Sequence, residues 1–142
     1  MTLVEHVMMA SPVVIAEDAT VVEAAQRMQQ LALRHLPVVA DDRLVGIISD
    51  RDLRGPMVGT KGTVPPSTTS VAAIMSREVV TALPTESLGV AAQRMVEHRV
   101  GALLVVDGDG VLRGILSYVD ILARLGVEAA QDMRSISLLD RE

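Results

Sequence analysis

From Thr20 to Leu33, in TVVEAAQRMQQLAL, apolar residues recur at helical spacing, and Thr20 with Glu23 reads as a capping box at the start of that helix. A short β-rich run, PVVI (Pro12 to Ile15), precedes it. Downstream, LPVVADDRLVGIIS (Leu36 to Ser49) predicts two aliphatic strands around a turn at Ala40 to Asp42, and a further helix opens near Ser49. The predicted order is strand, helix, strand, strand, helix.

The same order returns later in the chain. AAQRM occurs at Ala24 to Met28 and again at Ala91 to Met95, 67 positions on, and at that shift Met8 falls on Met75, Val13 on Val80, Thr20 on Ser87 and Leu36 on Leu103. One extra residue in the second turn, DGDG at Asp107 to Gly110, raises the shift to 68, so that Gly46 meets Gly114, Ser49 meets Ser117 and Asp52 meets Asp120. The chain is two copies of one unit. A single copy buries too little surface to be stable, which is the physical reason for a tandem pair. We place the first repeat at residues 1–57, a linker at 58–70, the second repeat at 71–126 and a C-terminal tail or short helix at 127–142. A short apolar segment leads each copy, LVEHVM (Leu3 to Met8) and VAAIM (Val71 to Met75). The expected fold class is α/β (α+β), two βαββα repeats packed through their sheets in a pseudo-twofold pair with clefts between them.

Composition narrows the chemistry. Hydrophobic residues make up 49% of the 142 positions, yet Phe and Trp are absent and Tyr118 is the sole aromatic, so the core must be built from Val, Leu, Ile, Ala and Met. Having no cysteine removes disulfides, thiolate zinc sites and cysteine nucleophiles together. The charge of −5 and the lack of stacking platforms oppose a nucleic-acid partner. No apolar run approaches the roughly 18 residues of a membrane span. Glu5 and His6 interrupt the start where a secretory signal would be apolar, so a cytoplasmic protein without a membrane partner is expected.

Two stretches carry candidate chemistry, GIISDRDL (Gly46 to Leu53) and GILSYVDIL (Gly114 to Leu122). Taken singly, Ser49 with Asp52 is a relative of the capping box, serine at the N-cap and an acid three residues on. Repetition in register with the preceding glycine and strand adds a second reading. A helix N-terminus attracts anions, a serine hydroxyl can donate to a phosphate, and an aspartate one turn along can accept from the vicinal hydroxyls of a ribose. A nucleotide is the ligand class this suggests.

Through HLPVVADDRLVGIISDRDL and ALLVVDGDGVLRGILSYVDIL the chain, from about Leu3 to Leu125, resembles a tandem pair of CBS domains, the regulatory modules named after cystathionine β-synthase. The resemblance implies that each Gly-aliphatic-aliphatic-Ser-x-x-Asp segment holds the phosphate and ribose of an adenosine compound, with adenine between aliphatic residues largely of the other copy. One cleft would use Ile47, Ser49 and Asp52 with Met75, Val80, Val100 and Ala102; the other would use Ile115, Ser117 and Asp120 with Met8, Val13, Leu33 and His35. Arg51 lies inside the first motif and Arg54 just beyond, whereas Tyr118 and Val119 occupy the second, so phosphate-rich ligands should prefer the first cleft.

Other constellations reduce to structure. His6, His35 and His98 lack metal-ligand spacing, and DGDG has Tyr118 at the twelfth position of a would-be calcium loop, so no metal site is expected. No nucleophile elbow, phosphate loop or His-Glu-x-x-His occurs, and no catalytic residues are assigned. The expected function is a regulatory sensor, not an enzyme, that needs no cofactor and binds AMP, ADP or ATP, with S-adenosylmethionine, NAD and cyclic di-AMP open. It would act on an unidentified effector protein or through a homodimer built on helical faces such as VDILARLGV (Val119 to Val127). The alternatives are an assembly module with vestigial clefts and, third, an enzyme that uses a nucleotide.

Overall fold

The computed structural model describes residues 1–54 and 66–126; residues 58–65 of the expected linker and the expected tail at 127–142 lie outside the described residues. The first unit runs β1 (Met9–Ala10), β2 (Ile15–Ala16), α1 (Val21–Leu31), β3 (His35–Ala40), β4 (Arg43–Ser49) and α2 (Asp50–Arg54). The second runs α3 (Val71–Ile74), β5 (Thr81–Ala82), α4 (Leu88–His98), β6 (Ala102–Val106), β7 (Leu112–Ser117) and a helix α5 over 118–126. The strand expected at Pro12 to Ile15 forms later, at Ile15–Ala16. Pro12 has no N–H to give a ladder, and Ser11 at φ +54° turns the chain just before it.

Local chemistry sets the helix ends. Thr20 Oγ1 accepts from the Glu23 N–H at 3.2 Å, and Ser87 Oγ accepts from the Val90 N–H at the same distance. Both long helices stop on a non-glycine left-handed residue, Ala32 at φ +54° and Arg99 at φ +56°. An L side chain is strained there and glycine is not. Ala32→Gly and Arg99→Gly should therefore each stabilise the protein by about 0.5–1 kcal/mol. Urea midpoints will show it; a loss of stability in both would refute the strain.

Two sheets form, ordered β2-β3-β4 and β1-β7-β6-β5. Their membership reveals an exchange. β1 belongs by sequence to the first unit, but it pairs antiparallel with β7 of the second, Met9 opposite Ile115 and Ala10 opposite Gly114. Reciprocally, Ser76 bridges Ile47 on β4 through two backbone hydrogen bonds of 2.9 Å. The leading apolar segments follow the same rule. Val4, fully buried, joins Ala91, Met95, Leu103, Val105 and Leu116 in the core of the second unit, while Val71 and Met75 join Ala24, Met28, Leu36, Val38 and Ile48 in the first. Each aliphatic core is completed by the segment that leads the other copy, so neither unit is whole without its partner.

The exchange explains the glycine that opens each motif. A Cβ on Gly46 would stand 2.7 Å from both Met75 Sδ and the Ser76 carbonyl; one on Gly114 would stand 2.6 Å from Met8 Sδ and 2.8 Å from the Met9 carbonyl. No side chain fits under the crossing backbone.

The second unit carries an ion pair that the first lacks. Arg94 on α4 grips Glu86 with two bonds, 2.9 and 2.7 Å, and also donates to the Thr81 carbonyl at 2.9 Å. In the first unit Arg27 donates to the Val14 carbonyl at 2.6 Å, but Ala19 stands where Glu86 does. The bonds from Arg94 hold the Glu86 carboxyl below its ordinary value, against the opposing effect of burial. A carboxylate lowered on folding contributes stability above its unfolded value that is lost as pH falls through the folded one. Glu86→Gln should cost about 1 kcal/mol at neutral pH and less in acid, below both values. Denaturant melts at pH 7 and pH 3 will test it: a cost that does not shrink in acid would exclude the charge as its cause.

Candidate functional site

Period-two alternation aims one face of each sheet at its own helices and the other at the neighbouring unit. Leu36, Val38, Ile48, Leu103, Val105 and Leu116 take the helix side and form the cores. Ile47, Leu104 and Ile115, one residue out of step, take the other side and line a cavity of about 540 Å³ between the units. His35 and Ile47 come from the first unit; Glu78, Val79, Val80, Val100, Gly101, Ala102, Leu104, Ile115 and Tyr118 come from the second. Ile47 with Ile115, and His35 with Ala102, are repeat equivalents, so the cavity lies across the pseudo-twofold relation and extends into the second unit. Its volume suits a nucleoside-sized molecule.

Six of the residues proposed from the sequence meet here: Ile47, Val80, Val100 and Ala102 from one expected cleft, His35 and Ile115 from the other. The rest sit elsewhere. Met75 is buried in the first core, and Met8 and Leu33 pack against the second and first cores respectively. Both methionines lie over the motif glycines. Val13 and Arg51 are exposed.

Ser49, Asp52, Ser117 and Asp120 are half-buried and do not line the cavity, but register ties them to its wall. His35 pairs with Ser49 across β3 and β4, and Ala102 pairs with Ser117 across β6 and β7. Each motif closes a reciprocal cap. The Ser49 N–H donates to Asp52 Oδ2 at 2.8 Å and the Asp52 N–H to Ser49 Oγ at 3.1 Å; the Ser117 and Asp120 bonds are 2.9 and 3.2 Å. This geometry holds both side chains at the start of α2 and α5. The serine oxygen accepts in the cap, so its own O–H is available to donate, and the cap uses Oδ2 of each carboxylate.

Glu78, Val79, Gly101, Leu104 and Tyr118 were not singled out as site residues. Leu104 is two positions from Ala102 on one strand, so alternation places it on the same face. Val79 adjoins Val80. No local pattern marks Glu78, and Tyr118 reaches the cavity because its backbone N–H bonds the Gly101 carbonyl at 2.9 Å. The DGDG turn is internally satisfied: Asp107 accepts from the Asp109 and Val111 N–H groups and pairs with Arg113 at 2.7 Å. Burial pushes its carboxyl up, but the bonds from Arg113, Val111 and Asp109 outweigh it and hold the group below its usual value. Among the described residues, no three His, Asp or Glu side chains gather as a metal site would need, and no helix is long and apolar enough to cross a membrane.

The sequence profile of the CBS domain matches twice, over residues 4–59 and 71–127. The chain belongs to the CBS domain family. As a CBS pair it is similar to a homoserine O-acetyltransferase of Methanosphaerula palustris, 38% identical over 117 residues that make up 82% of this chain and 22% of the relative. It thus spans about a fifth of that relative's length. The CBS domain-containing protein YhcV of Bacillus subtilis is 32% identical over 123 residues, 85% of this chain and 84% of YhcV. Among solved structures, the CBS domain pair of protein MJ0100 in complex with 5′-methylthioadenosine and S-adenosyl-L-methionine superposes with a TM-score of 0.74 at 26% identity, over 90% of this chain and 98% of that one. CBSX2 in complex with AMP superposes with a TM-score of 0.74 at 25% identity, over 90% and 99%.

Proposed function

We propose that this CBS pair is a cytoplasmic regulatory module that binds an adenosine ligand between its units and passes the ligand's presence to a partner protein or to its own oligomer. The observation that carries this reading is the inter-unit cavity, with aliphatic walls from both copies and serine–aspartate caps one strand register away. The adenosine ligands held by MJ0100 and CBSX2 support it. The action is binding without chemistry. Adenine fills the aliphatic space, while a ribose hydroxyl bonds Asp52 or Asp120 and a phosphate takes the serine O–H at the helix start. A ligand that touches both units favours the arrangement in which both walls are in reach, and shifts the population by its difference in affinity.

Titration calorimetry with AMP, ADP, ATP, S-adenosylmethionine and NAD tests the proposal. One of these should bind saturably, and Asp52→Ala or Asp120→Ala should weaken it at least about tenfold through loss of bonds to a charged acceptor. The reciprocal caps favour a second reading, since they give each serine and aspartate a structural task with no ligand present. On that reading the module serves assembly, no adenosine compound binds, and both variants lose only cap stability, about 1 kcal/mol each.

A further inference from the structure

The cavity between the units carries a charge pattern that its repeat-equivalent positions do not. Among the described residues that line it there is no arginine or lysine; its ionisable side chains are Glu78, His35 and Tyr118. Glu78 is exposed at the rim, and its carboxylate has no hydrogen-bond or ion-pair partner among the described residues. Tyr118 is the one aromatic residue of the whole chain, and its ring lies over Gly101, 3.4 Å from where a Cβ on that glycine would stand. At the equivalent positions of the first unit, Ser11 replaces Glu78, Asp50 replaces Tyr118 and Arg34 replaces Gly101, with Arg51 inside that unit's motif. The acid and the ring thus belong to one cleft, and the arginines to the other.

This pattern decides which ligand charge the cavity accepts. A phosphate monoester is close to a dianion at neutral pH. Here it would meet Glu78 at the rim and the half-buried Asp120 just beyond the wall, with no guanidinium or ammonium among the described lining residues to offset them. The start of α5 offers it little. The Ser117 N–H donates to Asp120 Oδ2, the Asp120 N–H to Ser117 Oγ and the Tyr118 N–H to the Gly101 carbonyl, so three donors that could face an anion are already engaged. A cation gains from the same features: the carboxylate attracts it, and so does the face of an aromatic ring within about 6 Å. Among adenosine compounds, a sulfonium at the 5′ carbon carries that charge.

We propose that this cavity selects an adenosine compound with a positively charged sulfonium at its 5′ carbon over adenosine phosphates, and that Glu78 and Tyr118 set the preference. The inference rests on the reading of the cavity as an adenosine site. Ring-labelled tyrosine gives the full chain a single tyrosine NMR signal, that of Tyr118, so titrations followed by it report this cavity. S-adenosylmethionine should bind at least about tenfold tighter than AMP, with S-adenosylhomocysteine, which has the same tail on a neutral sulfur, in between. Glu78→Gln should shrink the ratio of S-adenosylmethionine to AMP affinity by about fivefold. His35→Gln, which removes the one imidazole from the wall, should leave the order unchanged. By calorimetry, Tyr118→Leu should cut the advantage of S-adenosylmethionine over S-adenosylhomocysteine by about threefold, and Tyr118→Phe, which keeps the ring, should not. Circular dichroism will verify that these variants stay folded. If no adenosine compound moves the Tyr118 signal, the adenosine reading falls and the charge selection with it. AMP that binds as tightly as S-adenosylmethionine, or a preference that Glu78→Gln leaves whole or His35→Gln reverses, overturns the charge selection and leaves the adenosine reading standing. A sulfonium advantage that survives Tyr118→Leu overturns the role of the ring.

Discussion

Replacing Gly46 with alanine is expected to cost about 2–3 kcal/mol, and Gly114→Ala the same, although each adds only one methyl group. Two effects compete. Alanine restricts the unfolded chain and would stabilise by about 0.4–1 kcal/mol wherever the native backbone accepts it. At these positions the new carbon would stand 2.7 Å from the Ser76 carbonyl or 2.8 Å from the Met9 carbonyl. A methionine side chain can swing aside, but a backbone carbonyl held in a bridge cannot, so the exchanged segment must lift from its strand. Overpacking prevails. Gly101→Ala is the internal control: its Cβ would meet the Tyr118 ring at 3.4 Å, and the ring can give. That variant should stay within about 0.5 kcal/mol of wild type. Urea unfolding of the three variants measures all this, and near-equal stabilities would show that the crossing segments are not clamped on the glycines.

Leu36→Ala and Leu103→Ala form the second pair of large effects, each expected to cost about 2–5 kcal/mol. Both side chains are fully buried, at equivalent positions in separate cores. Because the cores share no member, the double variant should lose about the sum within 0.5 kcal/mol. Val4→Ala makes the cycle diagnostic. Val4 belongs by sequence to the same copy as Leu36 but sits in the core with Leu103. It should couple to Leu103→Ala and add independently to Leu36→Ala. Coupling to Leu36 instead would mean that each leading segment folds back on its own copy.

Much of this architecture was legible before any coordinates. Helical spacing marked α1 and its repeat in α4, and the paired aliphatic runs marked β3 with β4 and β6 with β7, because period and repeat are written into neighbouring residues. Caps were legible for the same reason, acting three residues apart: Ser49 and Asp52 close a reciprocal cap, while of the box expected at Thr20 and Glu23 only the Thr20 hydroxyl's bond to the Glu23 N–H forms. The site was legible in part. Resemblance to a family put Ile47, Ser49, Asp52, Met75, Val80, Val100 and Ala102 in one cleft; Ile47, Val80, Val100 and Ala102 line the cavity, and Ser49, Asp52 and Met75 do not. Glu78 and Tyr118 were not singled out, since no local pattern marks Glu78 and Tyr118 reaches the cavity through its backbone bond to Gly101, 17 positions away.

By itself the sequence determined that this protein is two copies of a strand, helix, strand, strand, helix unit with an aliphatic core and a capped serine–aspartate motif at each second helix. Only the tertiary structure decided which segment completes which core and why the motif begins with glycine. The physical reason is distance along the chain. Met9 meets Ile115, and Met8 covers Gly114, across more than half the sequence, so no local periodicity records the contact.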